Sequence, residues 1–176
     1  MATIRALRRR IDGVQVEVLV PDFNGSENLI GSVVGAAPEV FGHNIETVER
    51  LTPSVRGRAR YRRSLEVLAA AARMANGTLV KSALMLGLGE TRAEVSRTLS
   101  DLRDNGCELL AVGQYLRPTR AEVEVERYVP PEEFAEIEAE ARALGFAEVA
   151  AGPLVRSSYR ADALHAAHER HIEAVQ

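Results

Sequence analysis

The chain has 176 residues, of which 46% are hydrophobic, and its formal net charge is −3. This length suits one domain with a sizeable core, and the charge provides no general attraction to nucleic acid or to an anionic membrane. No apolar stretch is long enough to cross a membrane, and the basic N-terminus lacks the apolar core of a secretory signal. We therefore expect a cytoplasmic protein with neither nucleic-acid nor membrane partners.

The cysteine content limits the possible chemistry. Cys107 is the only cysteine, so the chain can form no internal disulfide and cannot by itself supply a cysteine-based zinc or iron–sulfur site. It follows Asn105 and Gly106 at the start of an apolar run, where a small buried hydrophobic residue is expected.

The predicted elements alternate between strands and helices after a short N-terminal helix. The predicted strands span residues 14–20, 40–41, 81–86, 108–112 and 146–151. The predicted helices span residues 27–34, 59–75, 91–104 and a segment from Pro130 to Gly145, with a loop over 53–58. Asn76 and Gly77 are expected to end the second helix as a left-handed cap. Alternation of this kind implies parallel strands joined by right-handed crossovers.

The third strand is followed by the most informative turn. Gly87 and Gly89 permit a tight turn and a close approach of the backbone to a ligand, and Glu90 follows at the carboxyl end of the strand. Thr91 and Glu94 have the spacing of a capping box that starts the next helix. An ordinary strand-to-helix turn explains the same residues without any ligand.

Polar residues also follow the other strands and would meet at one rim of a parallel sheet. These residues are Asp22, Asn24, His43, Asn44, Glu46, Glu90, Gln114, Tyr115, Arg156, Ser157 and Ser158. Such a rim is typical of barrel-like enzymes, although five strands are too few to close a barrel.

A family resemblance accounts for these residues together. The chain carries, in order, PDFNG, HNIETVERL, RGRARYRRSL, KSALMLGLGET, VGQYLRP, RYVPPEEF and GPLVRSSY. Over residues 3–162 it resembles the C-terminal part of lipoyl synthases, which are radical S-adenosylmethionine enzymes. The resemblance implies a partial parallel (β/α) barrel of about five strands with outer helices, open on its N-terminal side. The whole chain would be a single domain, with residues 160–176 as a C-terminal helical tail.

The resemblance also implies an activity. The family inserts two sulfur atoms into an octanoyl chain on a lipoyl carrier protein, using S-adenosylmethionine, an electron donor and two [4Fe–4S] clusters. One cluster cleaves S-adenosylmethionine to a radical, and the auxiliary cluster is the sulfur source. The residues matched to S-adenosylmethionine binding are Asn44, Glu46, Arg56, Ser64, Gly87, Glu90 and Gln114. Ser158 matches the serine that ligates an iron of the auxiliary cluster, with Arg156 and Ser157 as its supports, and His43 is expected to be a structural hydrogen-bonding residue.

Departures from the family pattern limit what this chain can do. Both N-terminal cysteine triplets are absent, so we expect no catalytic residue within the chain and no activity of the chain alone. It would be a fragment of a longer reading frame or would need a second chain to supply the cysteine motifs. A different class remains open, namely a non-catalytic remnant that binds S-adenosylmethionine or a carrier protein. A phosphate-binding barrel is disfavoured, because the rim lacks glycine-flanked lysines.

Three further features of the sequence lead to expectations. The chain departs from the usual family residues at Ala83, Glu49, Arg117 and residues 121–125. All of these departures except Ala83 put the family's substrate-side loop in doubt. His165, His168 and His171 are expected to form a solvated helix face rather than a metal site. Residues 14–20 should form an open apolar edge strand unless something covers it, which predicts self-association or poor solubility.

Overall fold

Parallel strands in consecutive order form one sheet at the centre of the structure, a computed structural model that describes residues 1–158. Within these residues the sheet has five strands: β1 Glu17–Leu19, β2 Val40–Gly42, β3 Leu79–Leu86, β4 Leu109–Gln114 and β5 Glu148–Gly152. Each strand pairs with the next in a parallel register. Right-handed crossovers between consecutive neighbours place the connecting helices on one face, so the other face is the inner face of a partial barrel. The predicted fold class is confirmed.

Helices follow or precede each strand. They are α1 Ala2–Arg10, α2 Glu27–Val34, α3 Thr52–Val55, α4 Tyr61–Met74, α5 Arg92–Asp104 and α6 Pro131–Ala143. Short 3-10 turns also occur at Phe23–Gly25 and Glu49–Leu51. None of the helices within residues 1–158 is long and apolar enough to cross a membrane.

Two details of the helix prediction are wrong. Residues 53–55 are helical rather than part of a loop, because Pro53 occupies the first turn of α3, where its fixed φ is favourable and its missing N–H costs nothing. The end of α4 is not a left-handed cap: Ala75 is extended, with φ −63° and ψ 133°. Gly77, at φ +79°, belongs to the turn that follows.

The start of α5 agrees with the prediction in detail. The Thr91 backbone N–H donates to Glu94 Oε2 at 2.8 Å, and the Glu94 backbone N–H donates to Thr91 Oγ1 at 3.3 Å, which completes the capping box. The helix ends at Asn105 and Gly106 as expected. Gly106 has φ +81°, and a Cβ there would lie 2.5 Å from the Cβ of Ala72 on α4.

The main hydrophobic core lies between the sheet and the helices. It includes Phe41 of β2, Leu68 of α4, Leu99 of α5, Leu110 of β4 and Phe134 of α6, each at most 1% exposed. Because side chains alternate across a strand, the neighbours of these strand residues face the inner side of the barrel.

The inner face of the sheet is layered. Val40, Leu79 and Leu109 form a buried apolar layer near the start of the strands. Lys81 lies further along β3, is 2% exposed and contacts the carboxylate of Glu17 on β1 at 2.9 Å. At the carboxyl end of the strands the inner face carries small side chains, among them Ala83 and Ala111, and these leave space for a pocket.

The first strand is shorter than predicted. The Val16 backbone N–H donates to the side-chain oxygen Oε2 of Glu39 at 2.6 Å, and the Val16 carbonyl accepts from the Glu39 backbone N–H at 3.0 Å. A carboxylate therefore replaces part of the strand ladder, and β1 begins at Glu17. β1 is an edge of the described sheet, as expected, and Leu19 on it is 61% exposed. The predicted helical tail and the three-histidine stripe lie outside the described residues.

Candidate cofactor pocket at the carboxyl edge of the sheet

A pocket of about 360 Å³ lies at the carboxyl edge of the sheet, on its inner side. This volume is within the range of small-molecule sites. Its lining consists of Leu19, Asn44, Glu46, Ala83, Leu84, Met85, Ala111, Gly113, Gln114, Leu116, Val155, Arg156 and Ser157. Three of the seven residues predicted to bind S-adenosylmethionine are among them: Asn44, Glu46 and Gln114.

Glu46 reaches the pocket through an unusual backbone conformation. Its φ is +67°, which is unfavourable for a residue with a side chain. The conformation is held by the sheet, since the Glu46 N–H donates to the Ala83 carbonyl at 2.9 Å and the Met85 N–H donates to the Glu46 carbonyl at 2.8 Å. A strained residue fixed in this way at the edge of a pocket is typical of a functional site.

Asn44 and Arg56 support the same corner of the pocket. Asn44 Nδ2 donates to Glu46 Oε1 at 3.1 Å, which leaves the other carboxylate oxygen available to a ligand. Arg56 Nη1 donates to the Asn44 backbone carbonyl at 3.0 Å. Arg56 does not line the pocket itself, so the structure brings it behind Asn44 rather than into contact with the space.

Ser64 is buried away from the pocket. It is 1% exposed, and its Oγ lies 2.9 Å from His43 Nε2. The other ring nitrogen, Nδ1, lies 2.9 Å from the Val20 carbonyl and must donate to it, so Nε2 accepts from Ser64 in the neutral ring. Burial lowers the pKa of His43, and the nearby Arg56 lowers it further, which favours this neutral form. His43 and Ser64 therefore connect the ends of β1 and β2 to α4.

Glu90 stabilises the turn after β3. Its Oε1 accepts from the Gly87 N–H at 2.7 Å and its Oε2 accepts from the Leu88 N–H at 2.9 Å. The residue is 8% exposed and does not line the pocket. The sequence predicted that Glu90 and the glycine turn bind a ligand. Both oxygens of the Glu90 carboxylate instead accept hydrogen bonds from backbone N–H groups of that turn.

Gly87 itself approaches protein rather than open space. A Cβ built on it would lie 2.3 Å from Gln114 Nε2 and 2.4 Å from the Arg127 carbonyl oxygen. The sequence predicted a close approach of this backbone to a ligand, whereas the groups that approach it here are the Gln114 side chain at the end of β4 and the Arg127 carbonyl in the segment that follows.

The polar residues after β1 also form hydrogen bonds within the protein that stabilise the local turn. Asp22 Oδ1 accepts from the Asn24 N–H at 3.0 Å, and Asp22 Oδ2 accepts from Arg63 Nη1 at 3.2 Å. The hydrogen bond from Asn24, with help from Arg63, lowers the pKa of Asp22. Neither Asp22 nor Asn24 lines the pocket.

The segment after β5 folds into the inner face of the sheet. Val155 is 7% exposed and packs with Ala83 and Ala111, and its carbonyl oxygen would lie 2.2 Å from a Cβ on Gly113. Arg156 and Ser157 line the pocket beyond it. Ser158 comes next and is exposed at the end of the described residues. Its predicted role as an iron ligand stays a prediction.

Residues 1–158, which the structure describes, do not fit a [4Fe–4S] cluster. Cys107 is fully buried, its Sγ lies 3.2 Å from the Leu109 carbonyl, and burial raises the pKa of its thiol to about 12, so it is not available as a thiolate. Among residues 1–158, no group of three or more histidine, cysteine or carboxylate side chains could hold a metal ion. The buried, inert Cys107 agrees with its expected core role.

The lining of the pocket suits a small organic ligand rather than a cluster. Two of its polar groups, the carboxylate of Glu46 and the amide of Asn44, have the chemistry to bind an ammonium and hydroxyl groups, and Gln114, Arg156 and Ser157 also line the space. The remaining lining is largely apolar, as in most small-molecule sites.

Sequence reasoning missed several lining residues. Leu19 and Leu116 are 61% and 48% exposed and border the pocket, whereas Ala111 and Gly113 form part of its floor. The small residues at alternating positions of β4, Ala111 and Gly113, are a detectable signal for space at the inner face. The two leucines look like ordinary strand-end residues, and nothing local marks them.

Comparison with known proteins identifies the family. No protein-family model matches the chain. It is 56% identical over 162 residues to a lipoyl synthase of Thermus thermophilus and 52% identical over 160 residues to one of Rubrobacter xylanophilus. These matches cover 92% and 91% of this chain but 50% of each relative, so the chain spans about half the length of these relatives. A protein named lipoyl synthase 2, from Gloeobacter violaceus, is 54% identical over 159 residues, which is 90% of this chain and 55% of the relative.

One solved structure supports the fold. A radical S-adenosylmethionine methyltransferase from Kitasatospora setae, with cobalamin and a [4Fe–4S] cluster bound, has a TM-score of 0.50 and 12% identity, over 66% of this chain and 24% of that one. At this identity the similarity concerns the fold alone, and it agrees with a partial barrel of the radical S-adenosylmethionine type. The sequence matches confirm the family that the motifs predicted. The chain belongs to the lipoyl synthase family and corresponds to the C-terminal part of its members.

Proposed function

We propose that the chain provides the S-adenosylmethionine-binding and substrate-facing part of a lipoyl synthase. The observation that carries this proposal is Glu46, which the sheet holds at φ +67° with its side chain at the pocket. In this proposal Glu46 binds the ammonium group of S-adenosylmethionine, and Asn44 orients Glu46 and hydrogen-bonds to a ribose hydroxyl. Arg56 fixes Asn44 from behind through its backbone carbonyl.

The reaction proposed for the complete enzyme is insertion of sulfur into an octanoyl chain on a lipoyl carrier protein. S-adenosylmethionine, held by Glu46 and Asn44, would supply the radical that activates the acyl chain, with the electron for its cleavage coming from an external electron donor. Since Cys107 is buried and protonated, the thiolates that hold both clusters would come from sequence outside these 176 residues. Ser158, exposed beyond the pocket-lining Ser157, is the proposed ligand of the auxiliary cluster. The chain alone is proposed to be inactive.

A second candidate is a non-catalytic remnant that binds S-adenosylmethionine or a carrier protein. The buried Cys107 thiol is the observation behind it, because a chain whose one cysteine is protonated supplies no thiolate to hold a cluster by itself. The two candidates share the binding role of Glu46 and differ in whether a complementing polypeptide restores sulfur insertion.

Calorimetric titration of the full chain with S-adenosylmethionine tests the shared role. We expect Glu46→Gln to weaken binding by about tenfold or more, since it removes a charge-assisted hydrogen bond. Glu136→Gln is the matched control, because Glu136 is exposed on α6 and does not line the pocket. Equal affinity of the wild type and Glu46→Gln would refute the proposed role of this carboxylate.

Complementation separates the two candidates. The chain is produced in a bacterium without lipoyl synthase, alone or with the half of the Thermus thermophilus relative that this chain does not match, and lipoylation of the carrier protein is measured by mass spectrometry. Lipoylation only with both halves supports the enzyme proposal, and Glu46→Gln should reduce it. Binding of S-adenosylmethionine without lipoylation in any combination supports the remnant.

A further inference from the structure

The segment that follows β4 reaches the pocket without regular secondary structure. It runs from Tyr115 to Pro130 and contributes Leu116 to the pocket lining, where that side chain is 48% exposed. A stretch of this length normally needs specific contacts to keep one position. The contacts that hold it converge on Gln114.

The Gln114 carboxamide is used almost completely by this segment. Its Nε2 donates to the Tyr115 carbonyl at 3.0 Å and to the Arg127 carbonyl at 3.1 Å, and its Oε1 accepts from the Val129 N–H at 2.9 Å. The residue is 4% exposed. Both amide hydrogens and one oxygen lone pair are therefore satisfied, and a ligand could take at most one further hydrogen bond.

Gly87 provides the space for this arrangement. Its φ is +96°, and a Cβ would lie 2.3 Å from Gln114 Nε2 and 2.4 Å from the Arg127 carbonyl oxygen. Its own carbonyl accepts from the Glu126 N–H at 2.9 Å. Only glycine allows the segment to rest directly on the end of β3 at this distance.

A second anchor holds the beginning of the segment. Tyr115 is 6% exposed, its backbone N–H donates to the Leu86 carbonyl at 2.8 Å, and its hydroxyl donates to the Val123 carbonyl at 2.9 Å. The segment is thus fixed at both ends. Leu116 follows Tyr115 directly and therefore lies beside the anchor at the beginning of the segment.

We infer that Gln114 and Gly87 are positioning residues that hold segment 115–130 against β3, so that Leu116 forms one side of the pocket mouth. This revises the expectation that Gln114 and Gly87 bind the cofactor directly. The inference rests on the proposed function only where it concerns the octanoyl substrate, whose apolar chain would pass Leu116. The position of the segment itself can be tested without any ligand.

The first test is hydrogen exchange of the full-length chain, read by mass spectrometry. We expect Gln114→Leu and Gly87→Ala each to speed exchange across residues 123–130 by about tenfold or more, because both release buried hydrogen bonds of the same segment. Tyr115→Phe removes only the Val123 contact and is expected to act more weakly. Arg120→Ala is the control, since this exposed side chain makes no hydrogen bond or ion pair within residues 1–158 and only its backbone carbonyl is used. Unchanged exchange in Gln114→Leu and Tyr115→Phe would overturn the inference, even if Gly87→Ala failed to fold.

The second test distinguishes positioning from direct binding. Gln114→Leu should keep the affinity for S-adenosylmethionine within about threefold of wild type, because the residue has little hydrogen-bonding capacity left for a ligand. It should weaken binding of a peptide carrying octanoyl-lysine by a larger factor, measured by calorimetry. A large loss of S-adenosylmethionine affinity with normal exchange of the segment would show direct binding instead. If the wild type binds neither ligand, the proposed function fails, while the exchange result still decides the positioning role.

Discussion

Glu46 and Glu90 follow neighbouring strands at the same edge of the sheet, yet their carboxylates have different surroundings. Glu90 accepts hydrogen bonds from two backbone N–H groups and is 8% exposed, whereas Glu46 lines the pocket and accepts one hydrogen bond from Asn44. A carboxylate occupied by backbone amides stabilises a turn, and one with free acceptor sites can bind a ligand. Position after a strand is therefore not sufficient to identify a binding residue.

Replacement of Glu90 should give the largest effect on stability. Glu90→Ala leaves the N–H groups of Gly87 and Leu88 without their buried acceptor, so we expect a loss of about 2–4 kcal/mol in the free energy of unfolding. The matched variant Glu46→Ala should lose less than about 1 kcal/mol, since it frees only one side-chain donor. Urea denaturation measures both. Equal losses would remove the distinction between the two carboxylates.

The variant Glu46→Gly separates the backbone strain at Glu46 from the proposed ligand binding by its side chain. Glycine relieves the cost of φ +67° but increases the entropy of the unfolded chain, so we expect the stability to stay the same or rise by up to about 1 kcal/mol. S-adenosylmethionine affinity should nevertheless fall by about tenfold or more. Thermal unfolding and calorimetric titration test the two parts. A clear loss of stability would mean that the Glu46 side chain is structural, like that of Glu90.

His43 extends the comparison to pH. Burial holds the pKa of His43 below its ordinary 6.5, so below that pH the unfolded chain binds more protons than the folded one. Stability should therefore fall as the pH drops through 6.5 towards the lower folded-state pKa. Asp22 and Arg56 are the charged groups that influence this ring. In His43→Gln the decrease between pH 7 and 5.5 should be smaller, as measured by urea midpoints, and an unchanged pH dependence would contradict this assignment.

The smallest effect on stability is expected at the end of β1. Leu19 is 61% exposed on an edge strand, so Leu19→Lys should change the free energy of unfolding by less than about 0.5 kcal/mol. It should reduce self-association, because a charge on an edge strand disfavours pairing with another chain. Leu29→Lys on α2, where the leucine is 51% exposed, is the control. Sedimentation that shows a monomer for the wild type at high concentration would contradict the expected self-association.

Much of the fold could be predicted because local signals agreed with the tertiary structure. The capping box at Thr91 and Glu94 fixed the start of α5, and an apolar run without a polar face identified β3. The failures have non-local or ambiguous causes. β1 lost its first residues to a hydrogen bond between Val16 and the Glu39 carboxylate, which is 23 residues away. Pro53 was compatible with a loop or with a helix start, and only the structure distinguished them.

The candidate site was predictable in its location but less so in its contacts. Asn44, Glu46 and Gln114 do line one pocket at the carboxyl edge. Ser64 is instead buried against His43, and Glu90 is occupied by the turn amides. Motif spacing identifies which residues follow a strand, but it does not indicate whether nearby backbone groups already satisfy a side chain.

The sequence alone determined the alternation of strands and helices, the family and the edge at which polar residues collect. Hydrophobic periodicity, glycine positions and caps are local properties that each segment carries with it. The tertiary structure decided which carboxylate faces the pocket and which residues hold its mouth. These roles depend on partners far along the chain, such as Arg127 and Val129 for Gln114, and only folding brings those groups within hydrogen-bonding distance.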